Sequence, residues 1–270
     1  MDEPEKTDVI VIGLGPGGES AAGLLAEAGL HVTGVEGRLV GGECPYYGCI
    51  PSKMMIRAAN LLAETRRVPG MAGTSTDAPD WSVVAQRIRE EATDCWDDKV
   101  AADRFTGKGG HLVRGHGTIT GPGEVTVSTA EGVRVFRAGR GILINCGTEP
   151  AVPPIQGLAG TPYWTNREIV QTEQVPESMI VLGGGAIGAE LAQVFSRFGT
   201  EVTVVEALPR LVSFEESSPA SLVWVEALDG GDPKVAAEHR DRLVRVAAPF
   251  TAEPDHRPVL LGKAHLHGWR

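Results

Sequence analysis

The sequence predicts an α/β fold in which one strand–turn–helix–strand unit occurs twice, with a small antiparallel β insertion between the copies. Three observations carry this. A glycine-rich turn ends a short apolar run at Gly13, a second such turn begins at Gly183, and the two units stay in register at a constant offset of 170 residues. Across that offset Gly13, Gly15, Gly18, Gly29, Val32, Val35 and Glu36 answer to Gly183, Gly185, Gly188, Gly199, Val202, Val205 and Glu206. Turn glycines and strand valines coincide in this way when one backbone geometry is used twice.

The elements follow in order. Val9 to Ile12 reads as a strand, ended by Gly13-Leu14-Gly15-Pro16-Gly17-Gly18. A helix over Ser20 to Ala28 is stopped by Gly29, and Val32 to Val35 returns as a strand. Cys44 to Arg66 is mostly helical in pattern, with Met54, Met55, Ala58, Leu61 and Leu62 apolar. Trp81 to Arg104 reads as a further amphipathic helix. His111 to Ile144, rich in Gly, Val and Thr, predicts a small antiparallel sheet and then a core strand. Pro150 to Pro154 is expected to cross between domains. The second unit then runs through a strand at Met179 to Leu182, the turn Gly183-Gly184-Gly185-Ala186-Ile187-Gly188, a helix at Ala189 to Phe198 and a strand at Val202 to Val205. Beyond Leu211 the alternation fades; Val235 to Val246 has helical character and the remainder reads as irregular. The expected division is 1–155, 156–212 and an atypical tail, 213–270.

Composition narrows the function classes. A net charge of −10 with no basic stripe argues against a nucleic-acid partner. No apolar run reaches the roughly 18 residues of a membrane-spanning helix. The start, MDEPEKTD, lacks the basic and apolar regions of a signal peptide, so a cytoplasmic, reducing compartment is the expectation. Four cysteines there read as thiols or redox chemistry rather than as a disulfide scaffold.

Each G-x-G-x-x-G follows a strand and opens a helix, the context in which the motif implies a Rossmann-like dinucleotide site. Gly13 and Gly183 permit the tight turn, Gly15 and Gly185 let backbone approach a pyrophosphate, and Gly18 and Gly188 allow close helix–strand packing. The helix N-terminus offers free N–H groups and a positive dipole end to phosphate. Glu36 and Glu206 end the following strands, where a carboxylate accepts ribose hydroxyls. At Glu206 a carboxylate favours NAD over NADP, because it repels a 2′-phosphate. Arg210, four residues on, could soften that preference; the favoured reading is a solvated surface arginine.

Gly41-Gly42-Glu43-Cys44-Pro45-Tyr46-Tyr47-Gly48-Cys49-Ile50-Pro51-Ser52-Lys53 is the most specific stretch. Residues five apart in an ideal helix are roughly 8–9 Å apart, and a disulfide needs less than about 7 Å between Cα atoms. A paired Cys44 and Cys49 would therefore require a broken helix, for which Pro45, Gly48 and Pro51 supply the means. Ordinary buried thiols and half of a zinc site are the alternatives; no Cys/His pair has zinc spacing, and no metal is expected. A nearby helix N-terminus would lower a thiol pKa. Cys95 and Cys146 read as unpaired and structural, and His256, His265 and His267 as surface histidines.

With both fingerprints in this order, the 41–53 segment resembles the redox-active segment of class I pyridine nucleotide–disulfide oxidoreductases, a family that includes dihydrolipoamide dehydrogenase, glutathione reductase and mercuric reductase. The resemblance covers about residues 8–212. It implies FAD in the first unit and NAD in the second, with hydride passing between nicotinamide, flavin and a Cys44–Cys49 disulfide. By the same resemblance Cys44 is the interchange thiol and Cys49 the thiolate against the flavin. Lys53 stands beside the flavin with Glu190 as its partner near the nicotinamide. Gly41, Gly42, Gly117 and Gly147 supply backbone around FAD, and Gly184, Ala186 and Ile187 complete the second turn. A small-molecule or protein disulfide is the implied substrate and a homodimer the implied assembly. Two departures stand out: Asn145-Cys146-Gly147-Thr148 replaces the usual Ala-Thr-Gly-Ser, and Tyr46-Tyr47 replaces Asn-Val. The family's second FAD segment and its dimerisation domain, which carries a His-Glu pair, are not found after Leu211. The expectation is a truncated or frame-shifted chain with impaired turnover. A non-catalytic dinucleotide-binding remnant and an NADH-dependent diaphorase are the alternative functions.

Overall fold

The computed structural model describes residues 3–206 in full and residues 220–227, 241–247 and 255–259 as backbone strands. The chain divides into two units, Met1–Lys53 with Ala85–Gln171, and Met54–Val84 with Thr172–Arg270. This differs from a boundary at 155: the crossover segment stays with the first unit, and residues 54–84 join the second.

In the first unit β1 (Glu5–Ile12) leads into α1 (Pro16–Glu27) and β2 (Val32–Glu36). A short helix α2 (Glu43–Tyr46) precedes α3 (Cys49–Arg67), which carries the chain out of this unit. The chain returns through α4 (Trp81–Arg87) and a π turn (Ile88–Ala92) into α5 (Lys99–Gly107). The continuous helix expected over Trp81 to Arg104 is therefore broken. Asp94, Cys95 and Trp96 all adopt left-handed backbone, with φ of 49°, 58° and 57°. Non-glycine residues take that conformation at a cost, so three in a row must be held by their surroundings.

Four strands follow: β3 (His111–Arg114), β4 (His116–Gly121), β5 (Glu124–Thr129) and β6 (Gly132–Ile144). All six form one sheet, ordered β3-β2-β1-β6-β5-β4. β6 joins its two characters. Its start pairs antiparallel with β5 (Val125↔Phe136), and its end pairs parallel with β1 (Ile12↔Ile144). The predicted insertion and core strand are thus one sheet, except that β3 lies at the parallel edge beside β2 (Val35↔Val113). A central parallel strand is covered on both faces. Accordingly Val11 packs with Leu14, Ala22, Val32 and Phe105 on one side. Ile10 and Ile12 pack with Val35, Val113, Val125 and Phe136 on the other. The short helix α6 (Asn166–Gln171) closes this unit.

In the second unit β7 (Ser178–Leu182), α7 (Ala186–Arg197) and β8 (Glu201–Glu206) repeat the opening pattern. The ring of Trp81 packs on Phe195 and Phe198 at centroid distances of 4.9 and 5.0 Å. Its indole N–H donates to the Thr172 carbonyl at 2.9 Å. Beyond β8 come β9 (Ala220–Ala227), β10 (Asp241–Ala247) and β11 (Asp255–Val259), in the order β11-β10-β9-β8-β7. These strands correct the expectation of an irregular tail, and residues 241–246 lie in β10 rather than in a helix. β9 runs parallel to β8, while β10 is antiparallel to β9 and to β11. Arg210, His239, His265 and His267 lie outside the described residues.

Candidate functional site

The two glycine turns have the same geometry, bond for bond. Gly13 (φ +90°) donates its N–H to Val35 O at 2.8 Å, and Gly183 (φ +105°) donates to Val205 O at 2.7 Å. Gly15 and Gly185 precede the helices in extended backbone, and neither has a side-chain cap. The first amides of α1 and α7 thus keep the unfilled donors that suit phosphate oxygens. A Cβ on Gly18 would fall 2.0 Å from Gly13 O, and one on Gly188 would fall 2.2 Å from Gly183 O, so only glycine fits. The carboxylates match as well: Glu36 accepts the Leu14 N–H and Glu206 accepts the Gly184 N–H, each at 2.7 Å.

One difference separates them. The end of β6 crosses the first turn, and a Cβ on Gly13 would lie 2.2 Å from Asn145 O. Among the described residues nothing lies within 4 Å of that position at Gly183. Gly147, exposed just past β6, has φ +70°. Gly117 lies in β4, where a Cβ would press on Ile12 and Val35 at 3.3 Å; its glycine lets the strand close on the apolar face.

The segment at residues 41–53 lies against the first turn. Gly41 N–H donates to Leu14 O at 2.7 Å, and a Cβ on Gly42 (φ +66°) would come 2.7 Å from Gly15 Cα. Cys44 sits in α2, half-buried, and Cys49 is the exposed first residue of α3. Both are free thiols. The neighbouring Cys49 thiol, with burial, pushes the Cys44 thiol above its ordinary value, while the charge of Lys53 pulls the other way. The lowering expected from a helix N-terminus is therefore overridden at Cys44. Lys53 is exposed one turn beyond Cys49 on α3, in the first unit. Glu190 is exposed in the first turns of α7, where Ala186 and Ile187 are exposed too, in the second unit.

Several residues that fix this segment were not legible in the sequence. The Asp98 carboxylate accepts the Val40 N–H at 2.6 Å and forms a two-pronged ion pair with Arg114 at 2.6 and 2.8 Å. The indole N–H of Trp96 donates to Tyr46 O at 3.2 Å. From α6, Arg167 pairs with Glu43, and Asn166 Nδ2 donates to Glu43 Oε2 at 3.2 Å and to Tyr47 O at 3.0 Å. Arg167 also reaches Glu149 at 3.1 Å, and Glu149 reaches Arg38 at 2.8 Å. Sequence separations of up to 124 residues hide these partners; the only local clue is the Thr-x-x-Glu signature at Thr165 and Glu168 that announces α6. Among the described residues no three His, Cys, Asp or Glu side chains gather as a metal site. Nor is any helix among them long and apolar enough to cross a membrane.

Residues 7–226 match the family described as pyridine nucleotide-disulphide oxidoreductase. A dihydrolipoyl dehydrogenase of Chlorobaculum parvum is 34% identical over 210 residues, 78% of this chain and 45% of that protein. A mercuric reductase of Acidithiobacillus ferrooxidans is 34% identical over 225 residues, 81% of this chain and 40% of its own length. The chain thus spans less than half the length of these relatives. The solved structure of an HOCl-induced flavoprotein disulfide reductase, RclA, from Escherichia coli in its Cu(II) complex shares the fold. Its TM-score is 0.68 at 22% identity, over 90% of this chain and 55% of that one.

Proposed function

Because the chain belongs to the pyridine nucleotide-disulphide oxidoreductase family, we propose that its first unit holds FAD and its second holds NAD, with Cys44 and Cys49 as a redox pair acting on a disulfide substrate. The observation that carries this is the placement of both free thiols just after Gly41 and Gly42, which close on the first glycine turn, in the unit whose turn presents an uncapped helix.

The residues fit the cofactor. Gly15, Gly18 and Gly42 leave a cradle at the start of α1 that side chains would fill. Glu36 holds the Leu14 and Arg38 amides at 2.7 and 2.8 Å and has lone pairs left for ribose hydroxyls. Gly13, Gly41, Gly117 and Gly147 would line the path of FAD with backbone, and Lys53 would stand beside its reactive ring. When bound, FAD supplies a two-electron carrier between pyridine nucleotide and thiols. In the second unit Gly183, Gly184, Gly185, Ala186, Ile187 and Gly188 would hold the pyrophosphate. Glu206 would select NAD over NADP, and Glu190 would stand on the nicotinamide side.

The thiol chemistry follows from reach and protonation. The Cys44 thiolate attacks one sulfur of the substrate disulfide, releasing one thiol and leaving a mixed disulfide. The Cys49 thiolate then attacks the Cys44 sulfur, releasing the second thiol and forming the Cys44–Cys49 bond. Two electrons from NADH restore the pair. A cytoplasmic homodimer is the setting that this reading carries.

The test is the visible spectrum of the purified chain before and after NADH, with thiols titrated in parallel. Flavin absorbance that bleaches while both thiols appear is the expected result. A colourless protein indifferent to NADH would overturn it in favour of a non-catalytic remnant. Bleaching without new thiols would leave only diaphorase chemistry.

A further inference from the structure

We propose that Arg167 is a positioning residue for the thiol pair, acting through Glu43. The inference rests on the reading of Cys44 and Cys49 as that pair, and goes beyond it by assigning what holds them in reach.

α2 has only four residues, too few to be stable alone. Its one backbone bond to its own cap is Tyr47 N–H to Glu43 O, at 2.8 Å. Something outside must therefore fix where Cys44 points. The structure shows the grip. Both ends of α2 are held from α6: Asn166 takes the Glu43 carboxylate at the start and the Tyr47 carbonyl at the end, and Arg167 takes Glu43 as well. The Arg167 guanidinium also lies 5.8 Å from the centre of the Tyr47 ring. A planar fork that bonds a carboxylate while resting on a ring is a placement that lysine cannot reproduce. Its far side is anchored by Glu149, which Arg38 holds in turn. Only 18% of the Arg167 side chain is exposed, against 37% of Glu43, so the guanidinium side of the grip is the sheltered one. From a third direction the Trp96 indole holds Tyr46 O.

Holding the Cys44 segment at one distance from Cys49 raises the effective concentration of each thiol at the other. That favours the disulfide in the exchange Cys44–S–S–Cys49 + 2 glutathione ⇌ two protein thiols + glutathione disulfide. Loosening α2 favours the dithiol.

The equilibrium is measured on the full chain in glutathione buffers, with acid quench, alkylation and mass analysis. Arg167→Met is expected to shift it about tenfold toward the dithiol. Glu43→Gln with Arg167→Met should add little to Arg167→Met alone, since both remove one grip. Arg167→Lys, the variant that keeps the charge, should show a smaller shift of the same sign, and serves if Arg167→Met does not fold. A change in thermal stability with the exchange constant unmoved in Arg167→Met, or in Arg167→Lys where that variant stands in, would overturn the inference and leave the proposed function standing. A parent chain that forms no Cys44–Cys49 disulfide in oxidised glutathione would overturn the proposed function itself, and the inference with it.

Discussion

At the scale of single residues, glycine positions differ sharply in what they demand. Gly13 combines a φ of +90° with an approach of 2.2 Å between its absent Cβ and Asn145 O. Gly147 has a φ of +70° and open space around it among the described residues. Left-handed backbone alone costs an alanine roughly 1 kcal/mol, while a clash against backbone adds the expense of moving a strand. Gly13→Ala is therefore expected to lower unfolding stability by about 2–4 kcal/mol, and Gly147→Ala by about 1 kcal/mol, both read from urea denaturation. Equal effects would contradict the crossing of β6 over the turn. The sequence pattern assigned Gly13 its turn correctly because the constraint is local. It marked Asn145 only as a departure from the family's usual segment; the crossing over Gly13 comes through the β1–β6 pairing.

At the scale of elements, α6 shows how a short helix can present two side chains to a neighbouring segment. Thr165 N–H and Oγ1 both donate to Glu168 Oε2, at 2.6 and 2.5 Å. The Arg167 N–H donates to Thr165 Oγ1 at 3.2 Å. This capping box sets the first turn, where Asn166 and Arg167 sit. The bonds to Thr165 hold the Glu168 carboxyl below its ordinary value of 4.5. A carboxylate depressed in the folded state stabilises fully above that ordinary value, and the contribution is lost as pH falls through the depressed one. Glu168→Ala should cost about 1 kcal/mol near neutral pH, and the difference from the parent should vanish in acid. Urea titrations at neutral and acid pH check this; a pH-independent difference would refute the cap.

Two elements are hidden from local sequence signals. Periodicity ran Trp81 to Arg104 together because no Gly or Pro interrupts it. The break comes from tertiary bonds of Trp96 and Asp98, which no local window contains. The strands at 220–227 and 241–247 are masked in the sequence for another reason. Each holds a short apolar run, Leu222-Val223-Trp224-Val225 and Leu243-Val244, but flanking Glu, Arg and Pro outweighed it.

At the scale of the whole molecule, the duplication gives each unit a complete turn of its own. Gly18 and Gly188 lie against Gly13 O and Gly183 O in separate units, so damage to one turn leaves the other built. Gly18→Val is expected to abolish flavin absorbance while NADH still quenches protein fluorescence. Loss of both signals together would mean that the units are not independent folding partners. The duplication was readable because glycine spacing is short-range chemistry. The thiol grip was not, because Glu43 and Arg167 stand far apart in the chain. The bond from Gly184 N–H to Glu206 has a consequence for redesign. That carboxylate is a structural acceptor for a buried amide as well as the proposed nucleotide selector. An engineer wishing to recruit the phosphorylated coenzyme cannot simply exchange it for a basic side chain. The orphaned amide would cost about 1–3 kcal/mol, so a successful swap must pair the new cation with a neighbouring oxygen that takes over the loop.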